Sequence, residues 1–215
     1  MSEVSYDVFL SEVIPYVRDV PEMVALQAVR NAAIQFCEMT RVLQLNLEPM
    51  DVTQSVSKYE FDPPIGYKIV DIMEAWFGDQ LLIPKPVEEL TRIYRTSNWN
   101  TLDGNPYYYF RDRTQEVQLV PMPKVTETGK LKIRASISPV RASTTVDGEL
   151  YERYFEHIAM GARARLCDTP NQPYYDPKSA QTYLKRFSDA MTHTRTSVAK
   201  GLTRSAVQIE FQRFV

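Results

Sequence analysis

Glycine is scarce, with seven in 215 residues. Neither GxGxxG nor GxxxxGK[ST] occurs, so the chain has no glycine-rich phosphate cradle. Only two histidines are present, His157 and His193, and neither has a second histidine or a cysteine at ligand spacing. That arithmetic excludes a His/Cys metal centre read from sequence. His157 falls on a helix flank and reads as a solvent-edge or capping residue. Cys37 and Cys167 stand far apart with no CxxC pair. They read as small buried apolar side chains of a reducing compartment rather than a disulfide framework. GxSxG and HExxH are missing too. Glu88 and Glu89 are adjacent, and adjacent side chains point apart on a helix, so they read as a solvated face. No catalytic, cofactor-binding or metal-binding residue emerges, and the expectation is a protein that is not an enzyme. No apolar run reaches the ~20 residues that span a bilayer. The N-terminus lacks a basic leader, so the chain is expected to be made in the cytoplasm and not exported. Twenty-five basic and 27 acidic residues give a net charge of −2, which does not hold a protein to DNA or membrane by bulk charge.

What is present is a globular composition, 44% hydrophobic and 11% aromatic. Val8, Phe9, Leu10, Val13, Ile14 and Val17 predict a short amphipathic helix disturbed near Pro15. Asp19, Pro21 and Glu22 form a capping-box start. Met23, Leu26, Val29, Ala33, Ile34, Phe36 and Cys37 then predict a long helix to about Leu43. From 45 to 141 the texture changes, and nine of the fourteen prolines fall there. The expected elements are a strand at 52–61, a hairpin from 67–77 through Gly78-Asp79 to 80–83, a helical turn at 87–94, and a second hairpin of 107–111 with 116–120. In 131–138, Leu131, Ile133, Ala135 and Ile137 alternate with Lys132, Arg134, Ser136 and Ser138, which predicts a half-buried strand with the latter four outward.

Helix returns at Glu149. Leu150, Tyr151, Tyr154, Phe155, Ile158, Ala159, Ala162 and Leu166 form one stripe, with Arg153, Glu156, Arg163 and Arg165 on the other face. Asp176 before Pro177 starts a last helix to about Ala199, with the stripe Ala180, Tyr183, Leu184, Phe187, Met191 and Val198. The fold class expected is α+β: a bundle of N- and C-terminal helical pairs, an antiparallel β lobe inserted between them, and an extended C-terminal tail. The boundaries are 1–44 and 142–200 for the bundle helices, 45–141 for the lobe and 201–215 for the tail.

Five stretches, FLSEVIPYVRDVPEMVALQAVRNAAIQFCEMTRVLQ (9–44), GNPYYYF (104–110), VQLVPMP (117–123), LYERYFEHIAMGARARL (150–166) and PNQPYYDPKSAQTYLKRF (170–187), together resemble the head-to-tail adaptor (connector) proteins in the neck of tailed bacteriophages. Tyr174-Tyr175 stand where that family usually has a tryptophan. The resemblance implies a structural virion protein. It would assemble with copies of itself into a homo-oligomeric ring, a dodecamer, beneath the portal protein, extend the DNA channel, and offer the docking platform for a tail or nozzle protein. Double-stranded DNA would pass through without specific binding, and near-neutral charge suits such a channel.

Two further features carry expectations. After Gly201, Val207, Ile209 and Phe211 alternate with Gln208, Glu210 and Gln212, a period-two pattern without a neighbouring strand. From 195 onward four basic residues face one acidic residue, a charge of +3 before the terminal carboxylate. The tail residues Arg204, Val207, Ile209, Phe211 and Phe214 are the candidate partner-binding set, seated on the portal or a neighbouring subunit by strand addition, unless the tail folds back on its own β lobe. The alternative function is a nucleic-acid or regulatory binding module of the β lobe, with Tyr107-Tyr108-Tyr109-Phe110 stacking bases beside Arg111 and Arg113.

Overall fold

In the computed structural model, which describes residues 3–96, 98–113 and 115–201, the chain divides into two units. One joins the N-terminal residues to Val42 with those from Pro139 onward, and the other is Leu43–Ser138. Strand β1 (Glu3–Ser5) leads through 3-10 turns at Tyr6–Glu12 and Ile14–Tyr16 to helix α1 (Glu22–Thr40). Then follow β2 (Gln44–Asn46), β3 (Met50–Val52), β4 (Lys58–Glu60), β5 (Tyr67–Phe77), β6 (Gln80–Leu81), β7 (Ile83–Pro84) and α2 (Val87–Tyr94). A 3-10 turn at Trp99–Thr101 precedes β8 (Asp103–Gly104), β9 (Tyr108–Phe110), β10 (Glu116–Val120), β11 (Met122–Pro123) and β12 (Glu127–Pro139). The chain closes with β13 (Thr145–Asp147), α3 (Gly148–Cys167) and α4 (Pro177–Ala199).

In the first unit, α1, α3 and α4 pack on one another, and β1 pairs antiparallel with β13. The N-terminal pair of the expected bundle is one α-helix and a 3-10 stretch. Proline at 15 has no N–H to donate, so it caps the length of any helix there. The stretch still buries Tyr6, Phe9, Leu10, Val13 and Val17 at three- and four-residue spacing. The capping box does not form. Asp19 takes a left-handed backbone (φ 58°), Pro21 is the N-cap without a side-chain bond, and the amides of Val24 and Ala25 donate to the Pro21 carbonyl. At the other end Arg41, also left-handed, donates its N–H to Cys37 O at 2.8 Å.

Helix α3 is capped by Asp147, whose carboxylate accepts the Glu149 amide at 2.8 Å. Its buried Ala159, Gly161 and Ala162 let neighbours approach closely. A Cβ at Gly161 would lie 2.8–3.0 Å from the ring of Phe187 on α4, so the crossing exists because that side chain is missing. Asp176 caps α4 by accepting the amides of Lys178 and Ser179 and the Ser179 hydroxyl. Those hydrogen bonds hold its carboxyl below the usual range. Along α4, Ala180, Phe187 and Met191 are buried, but Leu184 is exposed.

The second unit is not one antiparallel lobe. Its sheets run β2-β12-β5-β6, with β3 also on β12, and β4-β10-β9-β7, beside the pair β11-β8. Two of the pairings, β7 with β9 and β11 with β8, are parallel. The 67–81 hairpin forms with Phe77 opposite Gln80, and Gly78 turns at φ 61°. In β12, Leu131, Ile133, Ala135 and Ile137 are buried, while Lys132 and Arg134 are exposed. Ser136 and Ser138, expected outward, are fully buried. The Ser136 hydroxyl accepts the Asp71 amide at 3.2 Å, which satisfies a small polar group inside the sheet.

Candidate functional site

The aromatic run of the second unit is mostly consumed by its own packing. Tyr109 is buried. Tyr108 and Phe110 pack on a cluster of Leu90, Trp99 and Val120. Trp99 meets Phe110 edge-on at 5.4 Å and donates its indole N–H to Thr91 Oγ1 at 3.1 Å. This holds α2 against the sheet. Arg111 donates to Val70 O at 3.2 Å and stands 3.8 Å from Asp71. Of the four aromatics only Tyr107 is exposed, so the run lacks the open succession of faces that base stacking needs.

The two histidines, far apart in sequence, meet in the first unit. His157 of α3 and His193 of α4 line one groove of about 590 Å³, with Tyr154, Arg186, Asp189 and Thr194 among its walls. The His157 ring lies nearly parallel to Phe36, 6.4 Å away, and 6.2 Å from Tyr154. Its Nδ1 is buried with no hydrogen-bond partner among the described residues. Burial pushes its pKa below the ordinary value, His193 lowers it further and Glu156 opposes them. The residue is half-buried: its ring stands beside Phe36 and Tyr154 and also lines the groove. No described group of three His, Cys, Asp or Glu can hold a metal ion. Cys37 and Cys167 are both buried, and burial raises both thiols, which leaves them unreactive.

The sign for His157 follows from its folded pKa lying below the unfolded one. Its contribution is fully present above the unfolded value near 6.5 and declines as pH falls below it. Thermal melts from pH 7 to 5 are expected to drop more steeply for the wild type than for His157→Gln. Parallel curves would remove His157 from the acid response.

Arg163, expected on the outer face of α3, is buried. Its Nε donates to the Glu12 carbonyl and its Nη2 to the Glu12 carboxylate, both at 2.6 Å, and its guanidinium lies 3.7 Å from the centre of the Tyr16 ring. The signal available was weak: an arginine between Ala162 and Ala164. The tail set Arg204, Val207, Ile209, Phe211 and Phe214 lies outside the described residues, so the structure neither brings these side chains together nor separates them.

No described helix is long and apolar enough to cross a membrane. No curated protein matches the chain. The family model of the SU10 adaptor protein matches residues 4–208. The chain belongs to that family: it is a phage adaptor, a structural component of the virion.

Proposed function

We propose that this adaptor is the head-to-tail connector of the virion neck. Copies of the chain form a ring, a dodecamer, under the portal. The ring extends the DNA channel and presents the platform on which the tail or nozzle protein docks. The observation that carries the reading is the family match over nearly the whole chain. The composition supports it: a net charge of −2 suits a channel through which DNA must slide, because a strongly basic bore would retain phosphates through counterion release. In this reading α1, α3 and α4 form the bundle that carries lateral contacts. The unit Leu43–Ser138 is the lobe inserted in it, and synthesis takes place in the host cytoplasm.

The tail 201–215 is the anchor to the portal. Main-chain hydrogen bonds of an added strand supply affinity, Ile209, Phe211 and Phe214 fill pockets, Val207 extends the apolar side, and Arg204 adds charge. Deleting 201–215 is expected to leave a folded subunit that no longer co-sediments with the portal. Docking of the truncated chain with unchanged affinity would overturn the anchor.

A further inference from the structure

The first unit exposes two strips of sequence with opposite charge. Along residues 3–23, Glu3, Asp7, Asp19 and Glu22 are exposed against Arg18, a charge of −3. Glu12, the other acid there, is neutralised by Arg163. On α4 (Pro177–Ala199), Lys178, Lys185, Arg186 and Arg195 are exposed against Asp189, a charge of +3. Lys178 and Lys185 are seven residues apart, so they share one side of the helix, away from the buried Ala180, Phe187 and Met191. Both strips also carry uncovered apolar side chains. Met23 is 77% exposed and Tyr16 55% on the acidic strip, and Leu184 is 54% exposed on the basic one.

We propose that these strips are the two halves of one contact between copies of this chain: the start of α1, with Asp19, Glu22 and Met23, seats on the outer face of α4 of the next copy, against Lys178, Leu184 and Lys185. The inference rests on the ring reading above and adds which surfaces make the ring. A patch of each sign repels its own kind, so the acidic residues of one copy face the basic residues of another. The ring reading selects the head-to-tail form of that contact over the two-fold form, since the head-to-tail form repeats around an axis and closes when its rotation allows. Met23 and Leu184 add apolar contact at the edge, since Leu184 stands about 100° round the helix from Lys185, and the charges set register and exclude the reversed pairing. The pairs are exposed and therefore screened by salt.

The test is a charge swap read by sedimentation of the full chain over a concentration series at low and high salt. Asp19→Lys/Glu22→Lys and Lys178→Glu/Lys185→Glu are each expected to weaken self-association about tenfold at low salt. An equimolar mixture of the two variants restores it, because each neighbour then meets its complement, and so does the fourfold variant. Recovery in these two arms also shows that the substituted subunits are folded. Unchanged association of either double variant, or loss without recovery in the mixture and the fourfold variant, overturns the contact while leaving the ring standing. A wild-type chain that stays monomeric at every concentration and on its portal removes the ring reading, and this contact with it.

Discussion

Phe187→Ala is expected to destabilise the first unit by about 3–5 kcal/mol. The side chain is 1% exposed and sits where the three long helices meet. Its ring occupies the notch left by Gly161 on α3 and lies 6.2 Å from Phe36 on α1. Truncation leaves a cavity bordered by three helices, and a backbone already at closest approach on the α3 side has little room to collapse into it. Urea unfolding followed by circular dichroism reads the loss directly. Phe155, the other aromatic of the expected core, meets Phe9 at 5.1 Å but is only half-buried. Its truncation should cost distinctly less. Wild-type melting of Phe187→Ala would remove that ring from the core.

Arg163→Ala should cost about 2–3 kcal/mol, at or just below the low end for breaking a buried ion pair, because the Glu12 side chain keeps 34% of its surface open to water. Four interactions go together: the ion pair, the hydrogen bond to the Glu12 carbonyl and the cation–π contacts with Tyr16 and Tyr183. The carbonyl bond matters separately, since it ties α3 to the 3-10 stretch through backbone. Glu12→Gln keeps that bond and should cost less than half as much. Equal losses in the two variants would assign the whole effect to the carboxylate.

The long helices were legible because their apolar stripes recur over many turns and because Asp176-Pro177 is a strong local start. The Asp19 box failed for a geometric reason: Asp19 turned left-handed before Pro21, so the helix took its first acceptor from Pro21 itself. The reading of β12 failed where serines stood in for apolar residues, since a buried hydroxyl with a backbone partner looks like a surface residue to any polarity count. Parallel pairings of two residues each leave no periodic trace. The meeting of His157 with His193 and of Arg163 with Glu12 depends on how helices distant in sequence cross, and spacing along one helix does not carry that information. Gly161 gave a visible signal, a lone glycine in a helix stripe, whose meaning appears only once Phe187 is opposite it.

In the proposed function this adaptor builds a ring on the portal. Electron microscopy of the purified chain mixed with the portal of its own phage tests it most directly. The expected image is a closed ring of copies seated beneath the portal, coaxial with its channel and open along that axis. Portals that remain bare at saturating subunit, or single copies bound at scattered sites, would contradict it.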